Sequence, residues 1–203
     1  NYNRKDEKMK QIEITARVNE TLDNVLEKLK QQGFEKIRES RVEDKYLTQK
    51  YNELNQNNIL DILKTCILLR YLKVGNEEFK KITYKNKVYD NNEVITEEKI
   101  NLNCDDLNNA KKLFECLQFK EIISVNYDVL VMKKDNLELA FQNVENLGLL
   151  VEYEATDDYN NISSEEIKNQ KNKMFNQIKD LGLDIYDYDV KKAYELIKKT
   201  YQN

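Results

Sequence analysis

The sequence predicts an α+β fold: a closed or nearly closed antiparallel β-barrel of about eight strands, with a polar tunnel and helices packed outside. Three observations predict it. Strand-type alternation begins early, with Ile12, Ile14, Ala16 and Val18 on one face and Gln11, Glu13, Thr15 and Arg17 on the other. Helical periodicity is confined to a few segments, so the order reads as one strand, one helix, about four strands, a helix, three strands and a helical tail. Several strands carry polar residues at alternate positions. With helices outside a barrel, that polar face becomes the lumen, and a polar lumen is a ligand site.

Taken in order, Ile12 to Val18 is the first strand. Thr21 then caps a helix whose apolar face is Leu22, Val25, Leu26 and Leu29, with Gly33 as its C-terminal stop. Phe34 to Thr48 reads as an extended strand and Gln49 to Asn58 as a polar loop. Leu63 to Val74 is apolar and reads as a strand turning at Gly75-Asn76 into Phe79 to Lys85, followed by Glu93 to Asn103. Asp105 or Asp106 caps a helix through Leu107, Ala110, Leu113, Phe114 and Leu117. Three strands follow, Ile122 to Met132, Leu137 to Val144 and Leu149 to Ala155, the first two joined by a turn at Lys133 to Asn136. After a loop over Thr156 to Ser164, Ser163 and Glu166 form a capping box for a helix bearing Ile167, Met174, Phe175 and Ile178, and Asp189 to Gln202 reads as a last short helix. No linker, repeat or long single-sign block divides the chain. Residues 1–9 therefore read as a flexible N-terminal segment and residues 10–203 as one domain.

Composition narrows the chemistry. Among 203 residues there is no His, no Pro and no Trp. Without His there is no Ser-His-Asp triad, no Cys-His dyad and no imidazole proton shuttle, so any chemistry must use carboxylates, Lys, Arg, Tyr, Cys or a metal held by oxygen. The formal net charge of −4 disfavours binding to a nucleic-acid duplex. No apolar run is long enough to span a membrane. Cys66, Cys104 and Cys116 are odd in number and widely spaced, which reads as reduced thiols in a cytoplasmic protein.

Several segments, in order, resemble the CYTH superfamily of triphosphate tunnel proteins, which includes class IV adenylyl cyclases and thiamine triphosphatases. Gln11-Ile12-Glu13-Ile14-Thr15 looks like the family's E-x-E-x-K strand, and Asp44-Lys45-Tyr46 like its D-x-Y segment. Leu69-Arg70 and Ile82-Thr83-Tyr84-Lys85 are similar to its basic strands. Leu139 to Glu154 resembles its D-x-V-x-x-L-G-x-F-x-E-I-E stretch, and Lys192-Ala193-Tyr194-Glu195-Leu196 the closing basic-Tyr-x-x-Leu element of the class IV cyclases. The resemblance implies a barrel that binds a triphosphate, with Lys and Arg on the phosphates and carboxylates on Mg²⁺ or Mn²⁺; oxygen ligands suit such hard ions.

Carried over position by position, the resemblance makes Arg70 and Lys85 phosphate-binding candidates, joined by Lys81, which shares a strand face with Lys85, and makes Glu13, Glu152 and Glu154 the metal candidates; it assigns no catalytic residue. Four basic positions of the family fall on Thr15, Glu98, Tyr127 and Val129, and its metal-binding Asp on Gln142. Each lost charge-assisted contact is worth about 1.5–3 kcal/mol. The expectation is thus a diverged tunnel protein that binds a phosphorylated or anionic small molecule, a nucleotide or organic triphosphate, with weak or altered catalysis. Two alternatives stay open. One is an active class IV-type cyclase or metal-dependent triphosphatase, with Lys80, Lys81 or Lys192 replacing lost cations. The other is a non-enzymatic interaction module whose lumen ion pairs are structural. The oligomeric state is open, a homodimer among the options.

Overall fold

The computed structural model describes the backbone of residues 12–90, 93–155 and 163–202, and the side chains of all of these except 85–90 and 93–99. The expected N-terminal segment 1–9 and most of the loop from Thr156 lie outside the described residues. Nine strands are described: β1 (Ile12–Val18), β2 (Glu35–Thr48), β3 (Ile67–Val74), β4 (Glu77–Asp90), β5 (Glu93–Asn103), β6 (Lys120–Lys134), β7 (Leu137–Val144), β8 (Gly148–Ala155) and the two-residue β9 (Ile185–Tyr186). Five α-helices accompany them: α1 (Leu22–Gln31), α2 (Ile59–Leu63), α3 (Leu107–Cys116), α4 (Ser164–Asp180) and α5 (Lys192–Thr200). The strands form one antiparallel sheet in the order β5-β4-β3-β2-β6-β7-β8-β1-β9. Among the described residues no pairing joins β5 to β1 or β9, so the α+β antiparallel sheet stands while its ladder has two edges and does not close.

Local sequence explains the joints. Gly75 and Asp135, both at positive φ, turn β3 into β4 and β6 into β7, and Asn146 and Gly148 do the same between β7 and β8. Thr21, Asp106 and Ser163 cap α1, α3 and α4, the last with Glu166 in a reciprocal capping box. The apolar run before β3 divides: Ile59 to Leu63 turns as α2, and the strand starts only at Ile67. Ile59 and Ile62 are both buried, spaced for one helix face, a period that a reading of Leu63 to Val74 as strand overlooks.

Two packed layers flank the sheet. On one face Ile14, Ala16, Leu130, Phe141 and Val151 pack against Val25 and Leu29 of α1 and Met174 and Ile178 of α4. Farther along this face Leu47 and Leu69 meet Ala110 of α3. On the opposite face Val42, Val125, Tyr127, Val144 and Leu150 pack against Ala193 and Leu196 of α5. The expectation of helices packed only outside therefore fails for α5. Alternation explains it: the inner positions of β6 and β7 are apolar at Val125, Tyr127 and Val144, and covering that apolar area removes it from water.

Candidate functional site

The inner face can be read from the register, because residues paired across antiparallel strands share a face. Asp44 of β2 pairs with Arg70 of β3, which pairs with Lys81 of β4, which pairs with Asn103 of β5. On the other arm Val42 pairs with Tyr127, and Val129 with Gln142. Gln142 then pairs with Leu150, Glu152 with Thr15, and Glu154 with Glu13. All of the candidate residues except Lys85 thus occupy the inner side of the described sheet. Lys85 lies one residue past Tyr84, the last β4 position paired with β3, and pairs with Lys99 on the β4–β5 ribbon; its side chain lies outside the described residues. The same register places one further position. Glu98 pairs with Asn86, so Lys99, and not Glu98, is in step with Lys81 and Lys85. A one-residue offset along a strand reverses the face.

Arg70 is clamped. Its Nε and Nη2 each donate to a carboxylate oxygen of Asp44 at 2.6 Å, a bidentate pair in which Asp44 is 2% exposed. Burial opposes the charge on Arg70, but the hydrogen bonds and charge of Asp44 more than compensate, and its pKa lies above the ordinary value. Beside it, burial pushes the phenols of Tyr127 and Tyr46 up, and the Asp44 carboxylate adds to both. Neither phenol ionises in a usable range, so they are neutral walls.

The second centre surrounds Lys192, the first residue of α5. Its Nζ donates to Gln142 Oε1 at 2.5 Å, lies 3.5 Å from a Glu152 oxygen and sits 4.6 Å from the centre of the Tyr127 ring. Gln142 Nε2 in turn donates to Glu152 at 2.8 Å. A cation from the C-terminal helix therefore stands beside Tyr127, where the resemblance led one to expect a basic residue on β6. Arg17, also on the inner face of β1, reaches Glu195 of α5 at 3.4 Å and holds the helix in place.

The metal candidates share this face without gathering. Among the described residues no group of three or more His, Cys, Asp or Glu side chains could hold a metal ion. Glu13 and Glu152 lie on paired strands of this face, Glu13 opposite Glu154 and Glu152 opposite Thr15. Carboxylate oxygens are the right donors for Mg²⁺, which commonly takes one or two of them and completes its shell with phosphate oxygens and water. Cysteine chemistry finds no support: Cys66 is buried, and burial pushes its thiol up to about 12. Asp44 and the Gln142–Lys192 contact are the site residues whose roles the sequence concealed. The signals for Asp44 were its D-x-Y-like setting, Asp44-Lys45-Tyr46, and its place between Val42 and Tyr46 in an alternating strand.

Comparison with known proteins agrees with this architecture. A Methanocaldococcus jannaschii protein described as a putative adenylate cyclase is 28% identical over 148 residues, spanning 73% of this chain and 78% of that protein. The PH1819 protein of Pyrococcus horikoshii has the same fold, with a TM-score of 0.70 at 20% identity, covering 94% of this chain and 99% of that one. A conserved hypothetical protein of Pyrococcus furiosus superposes with a TM-score of 0.63 at 26% identity, covering 92% of this chain and 99% of that one. A Vibrio parahaemolyticus structure described as a putative adenylate cyclase gives 0.61 at 14% identity, covering 92% and 98%. No family profile matches the chain. The resemblance to adenylyl cyclase-like CYTH proteins, first read from motifs, is borne out by these relatives. Among the described residues no helix is long and apolar enough to cross a membrane.

Proposed function

We propose that the inner face binds a phosphorylated or otherwise anionic small molecule, a nucleotide or organic triphosphate, together with Mg²⁺ or Mn²⁺, and that turnover there is weak or altered. The sheet, curved about α5, would serve as a nearly closed tunnel wall, and residues 10–203 would form its single domain. The observation that carries the reading is the Lys192–Glu152–Gln142 cluster. An internal ion pair holds the place that a metal–phosphate pair would take. A divalent ion on Glu152 and Glu13 would replace the ammonium on the carboxylate, and phosphate oxygens would replace the carboxylate on Lys192. The exchange leaves no charge unpaired, which is the condition for binding charge in a half-buried site. Arg70, already oriented by Asp44, and Lys81 beside it would hold the far end of the anion, with Lys85 farther along β4. Glu154 opposite Glu13 would complete the acidic rim. A bound divalent ion would supply charge neutralisation to the phosphates. The chain's own residues would orient the anion and, through α5 and the apolar inner layer, exclude water.

The weak turnover follows from Thr15, Tyr127 and Val129, neutral where the resemblance calls for cations. Full cyclase or triphosphatase activity is the alternative outcome. A thermal-shift screen with ATP, GTP, thiamine triphosphate, tripolyphosphate and cyclic nucleotides, with and without Mg²⁺ or Mn²⁺, tests it. A ligand at ~100 times its dissociation constant stabilises by about 2.7 kcal/mol, roughly 5–10 °C in a chain of this size. A metal-dependent shift with a triphosphate is expected, and no shift with any compound overturns the reading. A second reading has its own support. The Arg70–Asp44 clamp and the apolar contacts of α5 are what an interaction module with a structural lumen would show.

A further inference from the structure

Two buried hydroxyls of the inner face are left unbonded by the chain itself. Tyr127 is 5% exposed and Thr15 7%, and the register puts both on the inner side, opposite Val42 and Glu152. Among the described residues, neither the Tyr127 hydroxyl nor Thr15 Oγ1 makes a hydrogen bond. The Thr15 backbone is satisfied, its N–H donating to the Tyr188 carbonyl at 3.2 Å and its carbonyl accepting from the Val190 N–H at 3.0 Å. Other polar side chains buried on this face are all engaged, Asp44 with Arg70, Gln142 with Lys192 and Glu152, and Thr83 with Asn101. A hydroxyl taken from water and left unbonded is costly, so the two call for a partner the chain does not supply.

Both adjoin the Lys192 cluster. The Lys192 ammonium sits over the Tyr127 ring, 4.6 Å from its centre, and Thr15 stands opposite the Glu152 that Lys192 approaches at 3.5 Å. The phosphates of the proposed ligand have charged partners here, whereas these two groups are neutral, burial holding the Tyr127 phenol in its protonated form. A hydroxyl both donates and accepts. A phosphate oxygen only accepts, and it brings charge that a hydroxyl does not neutralise. The matching partner is a neutral group that also donates and accepts, as the hydroxyls of a sugar do.

We infer that Tyr127 and Thr15 hydrogen-bond the neutral, hydroxyl-bearing organic part of the ligand and set the specificity for it. The β1 and β6 positions at which the resemblance implies phosphate-binding cations would then hold the organic group instead. The inference rests on the ligand proposed above.

Calorimetric titration of ATP and of tripolyphosphate, each with Mg²⁺, into the full chain, Tyr127→Phe and Thr15→Val tests it. Each variant removes a hydroxyl and keeps the shape, so Tyr127→Phe still offers its ring to Lys192. Each should weaken ATP about fivefold, the worth of one hydrogen bond, and leave tripolyphosphate within about twofold. Without ligand, both variants should melt at or above the midpoint of the unaltered chain, because no bond within the protein is lost. Unchanged ATP affinity in both variants would leave the hydroxyls to solvent and overturn the inference. An equal loss for ATP and tripolyphosphate would assign them to the phosphates, and a lower midpoint without ligand would assign them to the fold; either overturns it while the proposed anion site stands. Failure of both compounds to bind the unaltered chain would overturn the proposed ligand and this inference with it.

Discussion

Arg70 shows how one side chain can be structural and functional together. Its guanidinium meets the Asp44 carboxylate at two points, and Asp44 has almost no water to replace it. Removing one partner of a buried pair strands the other charge, at about 3–5 kcal/mol. Arg70 is itself partly exposed, so Arg70→Met should cost near the lower end of that range, read as a lower denaturation midpoint. Adding Asp44→Asn to that variant should restore part of the loss, because the stranded charge disappears. An unchanged midpoint in Arg70→Met would remove the structural role. Lys192 differs in kind. Its partners Glu152 and Gln142 are two side chains that a metal and a phosphate could relieve, and it is carried by the last helix rather than by the sheet.

At the scale of elements, most of the fold was legible because local signals were strong. The alternation of Ile12 to Val18, the caps at Thr21, Asp106 and Ser163, and the turn at Gly75 all act within a few residues, and each appears where its chemistry places it. What was not legible is tertiary. Nothing local to Lys192–Thr200 says on which face of the sheet the helix packs; that is set by Val125, Tyr127, Val144 and Leu150, up to some 75 residues away. Nor does anything local fix the register of β4 against β5, in which Glu98 pairs with Asn86 and Lys99 with Lys85. The candidate site was half legible. The carboxylates and Arg70 were visible as family-like positions and Lys192 as one of three lysines that could stand in for a cation; that Lys192 is the one that reaches Gln142 and Glu152 depends on packing. The apolar contact of α5 is the element's anchor, so Leu196→Ala should destabilise by about 2–3 kcal/mol. It should also loosen the Lys192 contact, measurable as faster amide exchange across α5 than across α4. Equal protection of the two helices in that variant would argue against the anchor.

Across the whole molecule, α1, α3 and α4 cover the outer face, while α5, with Leu63 of α2 beside it, covers the inner one. The apolar half of that face belongs to Leu196 and its neighbours, and the polar half to Arg70, Lys81, Glu13, Glu152 and Lys192. A solved Vibrio parahaemolyticus structure described as a putative adenylate cyclase shares the architecture. The motif resemblance sets neutral residues, Thr15, Tyr127 and Val129, where it implies cations. The account's central claim is that the remaining charges still bind an anion, with Lys192 as a direct contact. Calorimetric titration of ATP and of tripolyphosphate, each with Mg²⁺, into the full chain and into Lys192→Met tests that claim most directly. Saturable one-to-one binding, weakened about tenfold or more in the variant, is predicted for loss of one charge-assisted contact. Absence of binding to the unaltered chain, or equal affinity in the two proteins, would contradict it.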